Sequence, residues 1–171
     1  VEKTEVTVNK IWNDDGNRDN VRPSSITVTL LADGDKVTDV TFGPDNAGNW
    51  NYTFSNLNKK NAGRDIVYTV TENPVDKYTT NITGTVITNT HEIETVTVSG
   101  HKTWNDADNQ DGKRPDSITV YLYADGTKEA EAVVTAESGW NYSFTDLPKY
   151  NNGQEISYTV AEVQTEELEG Y

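Results

Sequence analysis

Residues 6–12 read VTVNKIW, an alternating run with one residue out of place. Side chains on a strand point to opposite faces in turn, so Val6, Val8, Lys10 and Trp12 share a face. Three of those four are apolar, which marks that face as the one turned to a core and leaves Lys10 to be explained. The same pattern returns in VTVSGHKTW, where Val96, Val98, Gly100, Lys102 and Trp104 fall on one face. A lysine two residues before a tryptophan, twice on a core-facing side, reads as a device.

The recurrence extends along the whole chain. KIWNDDGNRDNVRPSSITVTLLADG (10–34) aligns with KTWNDADNQDGKRPDSITVYLYADG (102–126) at an offset of 92, and GNWNYTFSNLNKKNAGRDIVYTVTE (48–72) with SGWNYSFTDLPKYNNGQEISYTVAE (138–162) at an offset of 90. Two domains are therefore expected, spanning 1–90 and 91–171, with a short junction, THEIET, at 90–95. Within each copy, alternating runs such as Ile26/Val28/Leu30, Trp50/Tyr52/Phe54 and Ile66/Tyr68/Val70/Glu72 are separated by turn residues such as Asp33-Gly34. No window sustains a 3.6-residue apolar period. The pattern predicts an all-β fold with one sandwich per copy.

Composition narrows the function. The 171 residues carry 14 Lys+Arg against 28 Asp+Glu, a formal net charge of −14, which disfavours nucleic acid and anionic membranes as partners. There is no cysteine, hence no disulfide and no thiolate metal site. No apolar run is long enough for a membrane span, and no signal peptide is visible. The chain holds no methionine, even at position 1, and reads as a piece excised from a longer protein.

Lys10, Glu72 and Asn89 each lie on a face otherwise carrying apolar residues, Asn89 alongside Thr85 and Ile87. Burial lowers a lysine pKa and raises that of a carboxyl group. A neutral amine is a nucleophile, a protonated carboxyl donates a proton, and a carboxamide offers an electrophilic carbon with ammonia as leaving group. Three readings follow: a self-formed Lys–Asn amide with Glu as proton shuttle, a buried Lys10–Glu72 ion pair bonded to Asn89, or a Lys10 that snorkels to water at an edge.

The stretches KTWNDADNQDGKRPDSITVYLYADG, WNYSFTDLPKY and YTVAE closely resemble the B-type repeats of Gram-positive collagen adhesins, the CnaB-like domains also found in pilins. The resemblance covers nearly all of both copies. It implies two tandem reverse-immunoglobulin, prealbumin-like β-sandwiches, each able to carry an intramolecular isopeptide bond from a first-strand Lys to a last-strand Asn. The assisting Glu ends a Y-T-V-x-E strand. Matched residue by residue, these are Lys10, Asn89 and Glu72. The implied role is a stalk of a cell-wall-attached, extracellular adhesin, working beside neighbouring domains of the same protein, with no cofactor and no catalytic turnover. The alternative is a module that itself binds extracellular matrix or glycan.

The second copy has Lys102 and Glu162 but no Asn partner. Aligning EGY (169–171) with DKY (76–78) places the missing Asn beyond Tyr171, so the second sandwich is expected to lack its last strand. Three explanations compete: residues cut or not included, a strand-donating peptide or chain that completes the sandwich, or a domain opened so that an Asn-bearing peptide reacts with it.

Other signals are weaker. DADNQDG (106–112) departs from the EF-hand pattern and reads as a turn-rich loop, with no metal assigned. Trp50 and Trp140 read as core residues because they alternate with other aromatics. His91 and His101 stand near the junction with no ligand cluster. Arg22-Pro23 and Arg114-Pro115 each precede a strand.

Overall fold

A computed structural model of the chain describes residues 1–165 and 168–171. It divides into two compact units, Val1–Ile93 and Glu94–Tyr171.

The first unit contains β1 (Lys3–Asn13), β2 (Ile26–Ala32), β3 (Asp35–Phe42), β4 (Asn51–Asn58), β5 (Lys60–Asn61), β6 (Arg64–Asp65), β7 (Tyr68–Glu72), β8 (Thr79–Thr83) and β9 (Val86–Thr90). One sheet runs β4-β1-β9-β8 and the other β3-β2-β7, with β5 and β6 forming a short ribbon. The first and last long strands, β1 and β9, are parallel neighbours, with Lys10 opposite Ile87 and Trp12 opposite Asn89. Every other pairing in this unit is antiparallel.

Alternation decides what goes inside. Val8, Ile26, Val28, Leu30, Trp50, Phe54, Val70 and Ile87 form the buried core. Phe42 stacks on Tyr52 with ring centroids 5.6 Å apart, and Tyr52 meets Phe54 edge-on at 4.9 Å. Threonines line the outer faces, where Thr7 bonds Thr53 and Thr27 bonds Thr41 across neighbouring strands.

The second unit repeats the plan with β10 (Thr95–His101), β11 (Ser117–Ala124), β12 (Thr127–Thr135), β13 (Asn141–Pro148), β14 (Tyr150–Asn151), β15 (Gln154–Glu155) and β16 (Tyr158–Glu162). Its sheets are β10-β13 and β12-β11-β16, with a β14-β15 ribbon. Ile118, Val120, Leu122, Val134, Phe144 and Leu168 are its buried core. Gly100 stands where the first unit has Val8. A Cβ there would lie 2.5 Å from Tyr142 Oη, so the missing side chain makes room for the tyrosine on the facing strand.

The pairing of β1 with β9 also explains a difference in strand length. β1 continues to Asn13, whereas β10 stops at His101, the residue equivalent to Asn9. The stretch Lys102–Asn105 keeps its inner tether, Lys102 N–H donating to Trp140 O at 2.8 Å, just as Lys10 N–H donates to Trp50 O at 2.9 Å. Among the described residues, no strand lies on the outer side of β10.

Candidate functional site

The side chains of Lys10, Glu72 and Asn89 are all enclosed in the first sandwich. β1 carries Lys10 and β9 carries Asn89 in one sheet, and β7 of the facing sheet carries Glu72, opposite Val28 of β2. The strand faces predicted for all three hold: Lys10 and Asn89 are buried residues, and the Glu72 side chain has no exposed surface.

Lys10 Nζ lies 3.6 Å from Glu72 Oε2, and both side chains are fully shielded from solvent. The ammonium also stands 3.9 Å above the ring centre of Trp12 and reaches the Ile11 carbonyl at 3.4 Å. Burial pulls the Lys10 ammonium down to about 8, against the opposing attraction of Glu72. A readily formed neutral amine is the result. Glu72 Oε1 accepts from the Thr80 hydroxyl at 3.2 Å, which fixes the carboxyl group from β8. The snorkelling reading of Lys10 is excluded by its enclosure.

Asn89 has no exposed surface, and neither its Oδ1 nor its Nδ2 has a hydrogen-bond partner among the described residues. A buried primary amide without partners costs roughly 1–3 kcal/mol per unsatisfied group, so an inert asparagine is a poor choice there. The reading in which a Lys10–Glu72 pair is hydrogen-bonded to Asn89 therefore fails at the asparagine.

The second unit holds the matching pair in a different setting. Lys102 Nζ donates to Glu162 Oε2 at 2.7 Å, with side chains 22% and 23% exposed. The pair is a partly solvated salt bridge, and among the described residues no strand lies over it.

A second cluster was not read from the sequence. The Asp14 carboxylate receives Arg22 Nη2 at 2.6 Å, Arg22 Nε at 3.0 Å, the Tyr78 hydroxyl at 2.7 Å and the Asn17 amide at 3.0 Å. Burial works against the Asp14 anion, yet Arg22 and Tyr78 hold it below the usual carboxylate range. Burial and the neighbouring Asp14 charge push the Tyr78 phenol upward. Arg22 in turn packs over Trp12 at 5.3 Å, a second cation on the ring that the Lys10 ammonium also meets. Asp106, Arg114, Asn109 and Tyr171 repeat the arrangement in the second unit. The 106–112 loop thus spends its first aspartate on an arginine. Among the described residues, no group of three or more His, Cys, Asp or Glu gathers as metal ligands.

His91 also has a place. Its Nε2 meets Asp19 Oδ2 at 2.9 Å and its Nδ1 meets the Lys77 carbonyl at 2.9 Å. Burial disfavours the imidazolium, but Asp19 and the carbonyl outweigh it and raise the His91 pKa.

Two tandem β-sandwiches built on one repeated plan define the class of protein to which the chain belongs, a tandem β-sandwich repeat. The family model of the Cna protein B-type domain matches residues 6–90 and 98–171, and the chain belongs to that family. It is 43% identical over 166 residues to a collagen adhesin of Staphylococcus aureus, covering 94% of this chain and 14% of that protein. The solved structure of two B repeat units of the collagen binding protein of Staphylococcus aureus matches with a TM-score of 0.87 and 39% identity, over 95% of this chain and 45% of the other. The chain therefore spans about a seventh of that adhesin's length. Among the described residues, no helix is long and apolar enough to cross a membrane.

Proposed function

We propose that this chain is a load-bearing stalk segment of an extracellular, cell-wall-attached adhesin, braced by one autocatalytic Lys10–Asn89 amide. The observation that carries the reading is Asn89: a fully buried carboxamide without hydrogen-bond partners, on the strand beside a buried lysine of lowered pKa. Neutral Lys10 Nζ attacks Asn89 Cγ. The Nζ–Cγ bond forms, the Cγ–Nδ2 bond breaks and ammonia leaves. Glu72 accepts a proton from Nζ and returns one to the departing nitrogen. The reaction is used once per molecule, so the chain is not a turnover enzyme.

The bond would tie β1 to β9, the parallel neighbours at the two ends of the first unit. Tension applied there would load a covalent amide rather than a ladder of hydrogen bonds. Neighbouring domains of the same adhesin are the natural partners of such a segment, and the open edge of the second unit suits a strand-donating peptide. The alternative, a matrix- or glycan-binding module, draws less support: Trp50 is buried and Trp12, Trp104 and Trp140 are half-buried against the two cores, so no tryptophan offers an exposed platform.

Intact mass spectrometry of the purified chain tests the proposal. A value about 17 Da below the mass calculated from the sequence is expected for one ammonia lost. An unchanged mass would overturn the amide and leave an unusually costly buried cluster.

A further inference from the structure

Repetition lets one sheet face be compared with its twin in the same chain. In β3-β2-β7, alternation sends Ile26, Val28 and Leu30 into the core, and in β12-β11-β16 it does the same for Ile118, Val120 and Leu122. The residues between them stand on the outer faces. In the first unit that face is polar across its width. Thr27 bonds Thr41 at 2.8 Å, Thr29 donates to Asp39 at 2.6 Å, and Thr71 of β7 pairs with Thr29 on the other side.

The second unit keeps the register and changes the chemistry. Tyr121 stands where Thr29 does, Val133 where Thr41 does, Ala161 where Thr71 does, and Tyr123 where Leu31 does. Val133 is 66% exposed, Ala161 is exposed and both tyrosines are half-buried. All four lie outside the second unit's core, so a polar ladder has given way to an aromatic and aliphatic surface that the core does not use. Exposed apolar surface of this kind marks an interaction site.

The face already holds one cation. Lys128 Nζ lies 3.8 Å over the Tyr121 ring and 2.7 Å from Glu131 Oε1, and Glu131 is the cross-strand partner of Tyr121. A ring face and a carboxylate together make a seat for a positive group. The Lys128 side chain is 42% exposed, so this occupant is displaceable. Lys36 and Asp39 form the matching ion pair in the first unit, with Thr29 in place of the ring.

Charge selects the partner. Residues 94–171 hold 15 Asp+Glu against 5 Lys+Arg, whereas residues 1–93 hold 13 against 9. Asp116, just before β11, and Glu129, on β12, stand where the first unit has Ser24 and Val37. A second copy of the chain, an anionic glycan or a nucleic acid would meet repulsion at such a surface. The two tyrosine rings are 6.4 Å apart and inclined at 66°, which offers no flat platform to a neutral sugar.

We propose that the outer face of β12-β11-β16 docks a basic polypeptide segment that sets an arginine or lysine beside an aliphatic side chain. The cation enters the Tyr121–Glu131 seat in place of Lys128, and the aliphatic group covers Val133 and Ala161. Arginine suits the seat best, because its planar fork stacks on a ring and pairs with a carboxylate. The site uses none of the groups of the Lys10–Asn89 amide, so each reading stands or falls without the other.

The test titrates the isotope-labelled 171-residue chain in about 0.15 M salt with an octapeptide of alternating Arg and Val. Saturable shifts are expected at the backbone amides of 119–123, 131–133 and 159–163, while those of 27–31 and 69–73 in the first unit stay in place. A peptide of alternating Arg and Ser, equal in charge, should bind at least about threefold more weakly, since it buries less apolar surface. Tyr121→Thr combined with Tyr123→Leu installs residues that the first unit carries at these positions, and should weaken binding at least about tenfold. The reverse graft, Thr29→Tyr with Leu31→Tyr and Thr41→Val, should bring shifts to the first unit. No saturable shift at millimolar peptide, or shifts spread equally over both units, would overturn the site. Equal binding of the two peptides would reduce recognition to charge and overturn the composite face. Shifts at the same amides caused by maltoheptaose and not by the peptide would assign the face to a neutral glycan and overturn the basic partner.

Discussion

The side chains of Lys10 and Glu72 stand 3.6 Å apart and are shut off from solvent, whereas those of Lys102 and Glu162, their equivalents, stand 2.7 Å apart and partly in water. The dry pair has the looser contact. β9 shields the first pair, and Lys10 shares its ammonium among Glu72, the Ile11 carbonyl and the Trp12 ring. A tight ion pair would lock the lysine in its charged form. The longer contact, with burial lowering the Lys10 pKa, suits the neutral amine that the proposed amide formation requires.

Glu72→Gln should keep the fold and abolish the mass deficit. Glutamine preserves the size of the side chain and can still accept from Thr80, but it cannot take a proton from Lys10. Loss of a positioned general base slows such steps by about 10²–10⁴-fold. Intact mass measured at intervals after folding would show the unreacted chain persisting in the variant. A deficit forming at the wild-type rate would remove Glu72 from the reaction.

Asn89→Ala should lower the stability of the first unit selectively. The amide would close a loop of about 80 residues, worth roughly 4 kcal/mol on the chain-entropy treatment used for disulfides. Calorimetry should show the first unit's transition moving down while that of the second stays in place. Equal transitions in wild type and variant would mean that no covalent tie had formed.

His91 should make the first unit more stable in mild acid than in base. Its folded pKa is raised, so its contribution is complete below the unfolded value of about 6.5 and is lost as pH rises through the folded value. The difference in melting temperature between wild type and His91→Gln should shrink as pH is raised from below 6 to above 8. A difference independent of pH would mean that the Asp19 contact is made by neutral imidazole alone.

Strand alternation made the fold and the Lys10, Glu72 and Asn89 faces legible, because a period of two assigns each residue a side without knowledge of its partners. The parallel neighbourhood of β1 and β9 was implied by the family resemblance, since no local pattern states which strands pair. The Asp14 cluster escaped notice for a different reason. Asp14 sits in NDDGN, a composition typical of turns, and nothing local distinguishes a buried aspartate from its exposed neighbour Asp15. One signal was present: Asp, Asn, Arg and Tyr recur as Asp14/Asp106, Asn17/Asn109, Arg22/Arg114 and Tyr78/Tyr171. His91 and Asp19 are 72 residues apart, so their contact belongs to the topology alone.

The repeated cluster gives a comparison within one molecule. Asp14 and Asp106 bind the same set of groups, but the Asp14 side chain is 1% exposed and that of Asp106 is 11% exposed. Removing one member of a buried pair typically costs about 3–5 kcal/mol, because the remaining charge has lost its partner. Asp14→Ala strands Arg22 over Trp12 and frees the Tyr78 hydroxyl, and should cost an amount in that range. Asp106→Ala should cost the second unit less, since Asp106 is the more exposed of the two aspartates and water already screens its pairing with Arg114. The depressed Asp14 pKa adds a dependence on acid: its contribution is present above the unfolded value of about 3.9 and is lost as pH falls through the folded value. Unfolding of the two single variants, measured at pH 7 and again near pH 3, should therefore show the Asp14 penalty shrinking in acid. An Asp106 penalty equal to that of Asp14 at pH 7 would mean that shielding by β9 and the loop between β7 and β8 adds nothing to the cluster.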